Sequence, residues 1–122
     1  VILVDTSVWI EHLRSGDSRL MELLEGRQVL AHPFVVGELA LGNIKRRAMI
    51  LDALGNLPRA SVASDDEVLG LIEGRSLFGL GIGYVDVHLL ASALLSDDAS
   101  LWTRDRRLND VAQRLGVAAG AS

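Results

Sequence analysis

The stretch Val1-Ile2-Leu3-Val4-Asp5-Thr6-Ser7-Val8-Trp9-Ile10 changes its periodicity partway along. Val1–Val4 is an unbroken apolar run, the pattern of a parallel strand buried on both faces rather than one with a wet side. Asp5 ends it, and from Thr6 to Arg14 the apolar residues Val8, Trp9 and Leu13 fall on one helical face. A buried strand running straight into a helix is the opening unit of an α/β fold, and the rest of the chain repeats the alternation. Ser15-Gly16-Asp17 stops the first helix and starts a second, Ser18–Glu25, which Gly26 ends. Gln28–Ala31 reads as the second strand. Pro33 then sits in the first turn of a helix running to Leu41, where Gly42-Asn43 breaks it. Lys45–Leu57 reads as the next helix and Ala60–Ala63 as the third strand. Ser64-Asp65-Asp66-Glu67 is a capping sequence opening a helix to Leu77. Gly79, Gly81 and Gly83 form a hinge before the helix Tyr84–Leu95. Ser100–Thr103 is the fourth strand, Arg104–Leu115 the last helix, and Val117-Ala118 a short fifth strand at the sheet edge. The expectation is one α/β domain over residues 1–122, with a four- to five-stranded parallel sheet between helices.

The 122 residues are 49% apolar and 23% charged, ample for a core and unlike a disordered chain. Cysteine is absent, which removes disulfides, thiolate zinc sites, Fe–S clusters and thiol nucleophiles and suits a reducing compartment. The opening residues carry no basic segment of a secretory signal, and no apolar run reaches the ~18 residues of a membrane span. A cytoplasmic protein without membrane association is expected. Twelve basic residues against sixteen acidic ones give a net charge of −4. That balance argues against nucleic-acid binding by bulk electrostatics, unless some of the acids hold cations.

Parallel sheets place ligands beyond the carboxyl ends of their strands. Asp5 follows the first strand and Asp105 stands just after the fourth. Two further acids occupy apolar helical segments: Glu38 within Phe34–Ala40 and Asp86 within Tyr84–Leu90. Two carboxylates about 4 Å apart repel by roughly 4 kcal/mol at an effective dielectric of 20. No lysine or arginine abuts Glu38 or Asp86 in sequence. If the four acids meet, the usual counter-charge is a hard divalent cation with oxygen ligands, Mg²⁺ or Mn²⁺ in its place. Such a centre polarises a phosphoryl oxygen and turns bound water into a nucleophile. Arg104, Arg106 and Arg107, beside Asp105, would steer a phosphate backbone. Setting the four acids aside leaves twelve acidic residues against twelve basic ones. Each acid also has a simpler reading. Asp5 and Asp105 would serve as helix caps, Glu38 as the exposed residue of a one-sided helix, and Asp86 as a first-turn acid favoured by the helix dipole.

Taken together these residues resemble a known family. Val4-Asp5-Thr6-Ser7-Val8-Trp9-Ile10 looks like the opening motif of PIN-domain ribonucleases, most closely of the VapC-type toxins of bacterial VapBC toxin–antitoxin pairs. Gly37-Glu38-Leu39 resembles the second motif, Gly83-Tyr84-Val85-Asp86 through Ala91 the third, and Leu101-Trp102-Thr103-Arg104-Asp105 the fourth. No single motif is specific, but four in order span essentially the whole chain. The resemblance implies a PIN-like α/β/α sandwich and a Mg²⁺/Mn²⁺-dependent endoribonuclease that leaves a 5′-phosphate. It makes Asp5, Glu38, Asp86 and Asp105 the catalytic, metal-site acids. Ser7 and Thr103 match hydroxyl positions suited to orienting a carboxylate or a water. Some members carry a further acid a turn beyond the fourth motif, where Asn109 stands here. The family also implies an RNA substrate, a homodimer and a cognate VapB-type antitoxin, with apolar positions near Trp9 and Ile10 as its contact.

Several features carry no functional assignment. His12, His32 and His88 share no ligand spacing, and hard Mg²⁺ prefers oxygen. Trp9 and Trp102 are expected in the core or at a partner interface rather than stacked on bases. Lys45-Arg46-Arg47 reads as a solvated helix start. A receiver-type signalling domain needs a paired acid after its first strand and a lysine after its fifth, whereas Asp5 stands alone and Lys45 is the one lysine. A dehalogenase-type phosphatase needs Asp-x-Asp where this chain has Asp5-Thr6-Ser7. The alternative that survives is a PIN fold that binds RNA or a partner without cutting.

Overall fold

Ile2–Val4 (β1) is the middle of three parallel strands, flanked by Val29–Leu30 (β2) on one side and Ser100–Trp102 (β3) on the other. Leu3 and Val4 point to opposite faces of the sheet and both are fully buried, so the sheet is covered on both sides, as the apolar run requires. The computed structural model describes residues 1–120; the last two residues of the expected 1–122 unit lie outside the described residues. Seven helices complete this part of the chain: Thr6–Ser15 (α1), Ser18–Glu25 (α2), Pro33–Leu41 (α3), Arg47–Gly55 (α4), Asp65–Gly74 (α5), Tyr84–Leu95 (α6) and Arg106–Arg114 (α7). The result is the α/β/α arrangement expected, with one continuous apolar cluster running from β1 through α6 and α7.

The register sets which residues meet. Ile2, Leu3 and Val4 pair with Ser100, Leu101 and Trp102, and the Asp5 N–H donates to the Trp102 carbonyl at 2.9 Å. The ladder thus carries past both strand ends and leaves Asp5 beside Thr103.

The sheet is narrower than expected. Its third strand, anticipated at Ala60–Ala63, is a single parallel bridge of Arg59 with Ala31. The Ala60 N–H reaches the Ala31 carbonyl, but the next donor from the β2 side would be residue 33, and Pro33 has no N–H and opens α3, so the ladder ends there; the Ser61 amide, on the other edge, goes to the Ser96 hydroxyl at 2.9 Å. The fifth strand is likewise one bridge, Leu101 with Ala118. The chain therefore runs through five sheet positions, three of them strands and the outer two bridges.

Local chemistry explains most helix ends. Ser64 and Glu67 form the expected reciprocal cap of α5. Asp17 caps α2 through the Leu20 N–H at 2.9 Å. The α4 start differs from the reading of Lys45 onward, because Arg46 adopts a left-handed conformation and α4 begins after it. The Arg47 guanidinium turns back onto the Ala40 carbonyl at 2.8 Å, closing the end of α3. Lys45 and Arg46 form an exposed turn, and exposed Arg47 is the first residue of α4. The expected helix to Leu77 stops at Gly74, Ser76 takes a positive φ, and the Arg114 guanidinium donates to the Arg75 carbonyl.

Two predictions follow from this framework. His32 caps α3, its Nδ1 accepting the Phe34 N–H at 3.0 Å, and is fully buried. Burial, with the nearby His88 charge, lowers its pKa from 6.5 to about 4. The unfolded chain takes up the proton near pH 6.5 and the folded chain only near pH 4, so stability is complete above this window and is lost as pH falls through it. Urea midpoints measured across the window should fall, and His32→Asn, which keeps an acceptor for the cap, should flatten that fall. In the glycine loop, Gly79 and Gly81 both have positive φ, but only at Gly81 would a methyl group run into the Arg107 side chain. Gly79→Ala should cost about 1–2 kcal/mol from the backbone conformation alone. Gly81→Ala should cost more, and equal losses in denaturant titration would show that Arg107 simply moves away.

Candidate active site

The carboxyl ends of β1 and β3 are joined through side chains. The Ser7 and Thr103 hydroxyls both donate to Asp5 Oδ2 at 2.7 Å. The Arg104 N–H donates to Ser7 Oγ, and the Asp105 N–H to Thr103 Oγ1, each at 3.0 Å. Asp5 stands at the N-cap of α1 yet makes no capping bond to it, because its carboxylate is turned to these hydroxyls. The simple capping role considered for Asp5 is therefore not the one it plays. The carboxylate that receives the Ser7 and Thr103 hydroxyls is itself buried.

The other three acids surround this point on separate elements. Asp105 does cap its helix: Oδ1 accepts from the Arg107 and Leu108 amides of α7 at 2.9 and 3.2 Å. Asp86, in the first turn of α6, turns back so that Oδ2 accepts the Gly83 N–H at 3.0 Å. Glu38 is exposed on α3 and Oε1 accepts the Thr6 hydroxyl at 2.9 Å. In all four acids one carboxylate oxygen is held by a donor of the protein, while the other has no hydrogen bond among the described residues.

The four carboxylates share one electrostatic neighbourhood. Asp86 is raised above the usual aspartate range first by burial, against the lowering effect of the Gly83 amide, and then by the negative charges of Asp5, Asp105 and Glu38. None of the four has a cationic partner among the described residues, whose ion pairs are Arg14–Glu11 and His88–Asp65. No three Asp, Glu or His side chains among the described residues are drawn in closely enough to hold an ion as they stand. The donor chemistry suits a hard cation nonetheless: an all-oxygen set, each carboxylate steadied through one oxygen, and unbalanced negative charge.

The remaining residues sort themselves. Arg104 and Arg106 are exposed beside Asp105, whereas the Arg107 side chain lies against the Gly81 backbone. Asn109 is half-buried one turn beyond Asp105, and no side-chain hydrogen bond ties it to that acid. His12 Nδ1 accepts the Asp17 N–H, and His88 lies buried against Phe34 and Tyr84. Trp9 is core, and Arg19 covers the Trp102 ring at 4.6 Å. Thr6 was missed by the sequence reading. Its partner is 32 residues away on another helix, a separation that carries no local signal.

The family model of the PIN domain matches residues 2–114. Two proteins named Ribonuclease VapC32, from Mycobacterium tuberculosis strains CDC 1551 / Oshkosh and ATCC 25618 / H37Rv, are each 53% identical over 118 residues, covering 97% of this chain and 95% of the relative. The chain belongs to the PIN-domain family, and within it to the VapC type.

Proposed function

We propose that this chain is the toxin component of a type II toxin–antitoxin pair, a Mg²⁺/Mn²⁺-dependent endoribonuclease hydrolysing RNA phosphodiester bonds. The observation that carries the reading is a set of four carboxylates, none with a cationic partner among the described residues: Asp5 and Asp105 follow β1 and β3, and Asp5, Asp105 and Glu38 all act on the charge of Asp86. The relatives' name, ribonuclease, points the same way.

Asp5, Glu38, Asp86 and Asp105 would hold the cation through their unengaged oxygens. When bound, the cation supplies Lewis-acid polarisation of a phosphoryl oxygen and a water acidified into a nucleophile. The chain's own residues supply position. Ser7 and Thr103 hold Asp5 Oδ2, and the Arg107 and Leu108 amides hold Asp105 Oδ1. Arg104 and Arg106 stand exposed beside Asp105, where a phosphate backbone would lie. Asn109, a turn away, would contribute through water.

The partners belong to the same proposal. A VapB-type antitoxin segment would occupy the apolar groove lined by Trp9, Leu13, Leu24, Ile50, Leu54 and Leu57, with exposed Ile10 on the same helix. A second copy would cover the apolar surface of α5 and α6 around Leu71, Leu94 and Leu95. A cytoplasmic location is proposed with them; among the described residues no helix is long and apolar enough to cross a membrane. The second reading, a PIN fold that binds RNA or a partner without cutting, draws on the lack of a ready-gathered ligand set among the described residues.

Incubating the purified protein with structured RNAs separates the two. Cleavage should require Mg²⁺ or Mn²⁺, stop with EDTA and return when metal is restored in excess. Asp5→Asn, which still offers an acceptor to Ser7 and Thr103, should fold normally and lose more than about 100-fold in cleavage rate, beyond what loss of an outer-shell partner causes. Cleavage by Asp5→Asn at the wild-type rate would remove the catalytic assignment. RNA bound but left intact under every metal condition would favour the second reading.

A further inference from the structure

Threonine in the first turn of a helix ordinarily spends its hydroxyl on nearby backbone. Thr6 does not. Its Oγ1 donates at 2.9 Å to Glu38 Oε1, joining α1 to α3. Glu38 is exposed and, among the described residues, has no other hydrogen-bond partner and no ion pair. A glutamate side chain free at three torsions points in many directions, and the Thr6 hydroxyl selects one. The same turn at the end of β1 therefore controls two acids: Asp5 directly, and Glu38 through the residue that follows it.

We infer that Thr6 is a positioning residue for the proposed cation site, pre-orienting Glu38 so that Oε2 is presented beside Asp5 and Asp86. The inference rests on the four carboxylates binding a divalent cation, and goes beyond it by assigning part of that affinity to the Thr6 hydroxyl. Thr6 touches neither cation nor substrate in this scheme; it acts through Glu38. Outer hydrogen-bond partners of metal ligands commonly contribute about 10–100-fold to affinity.

The test is a Mn²⁺ titration of wild type, Thr6→Val, Thr6→Ala, Thr6→Ser and Asp5→Asn, read from the EPR signal of free Mn²⁺, with melting temperatures recorded in parallel. Thr6→Val and Thr6→Ala should weaken Mn²⁺ binding by about 10-fold or more while melting stays near wild type. Thr6→Ser, which restores the donor, should restore the affinity. In RNA cleavage at limiting Mn²⁺, Thr6→Val should lower kcat with KM for RNA unchanged, and excess Mn²⁺ should recover the rate. Wild-type Mn²⁺ affinity in both Thr6→Val and Thr6→Ala, or an affinity in Thr6→Ser as weak as in Thr6→Val, would overturn the inference. Loss of Mn²⁺ binding in Asp5→Asn alone would overturn the role of Thr6 and leave the cation site standing. A wild-type protein that binds no Mn²⁺ would overturn both.

Discussion

The parallel register of β1 with β3 is the constraint on which the site depends. Pairing Val4 with Trp102 brings Asp5 and Thr103 side by side, and the two hydroxyls of Ser7 and Thr103 then converge on one oxygen of Asp5. A slip of one residue would turn every alternate side chain to the other face and separate them. The slip is resisted by the core, because Leu3, Val4 and Leu101 are all fully buried and would have to exchange faces together. Apolar packing thus holds a polar arrangement in place.

Around that point the protein gathers negative charge without balancing it. The raised carboxyl of Asp86 reflects burial and three like charges, and among the described residues no arginine or lysine pairs with any of the four acids. Each acid is steadied through one oxygen by a donor close at hand: hydroxyls for Asp5 and Glu38, backbone amides for Asp86 and Asp105. Asp105 does two things at once, since capping α7 also fixes its orientation. This uncompensated like charge is what the proposed cation site rests on.

Much of this was legible in the sequence, for local reasons. The apolar run before Asp5, the Ser64–Glu67 cap, Pro33 at the start of α3 and the acid at each strand end are all decided by residues within a turn or two of one another. The differences arose where the backbone of a single residue set the end of an element. Pro33, which opens α3 and has no N–H to give to Ala60, leaves the third strand as a bridge. Arg46 takes a left-handed conformation, so α4 begins only at Arg47, whose guanidinium also reaches back to the Ala40 carbonyl at the end of α3.

The sequence by itself determined the alternation of strand and helix and the parallel class, and pointed to four candidate acids, because periodicity and capping are short-range properties of the chain. Only the tertiary structure decided which oxygen of each acid is engaged and by what. It showed Asp5 bound to Thr103 and Glu38 bound to Thr6. Those bonds join residues far apart in the chain, and their geometry follows from sheet register and helix packing, which no local spacing encodes.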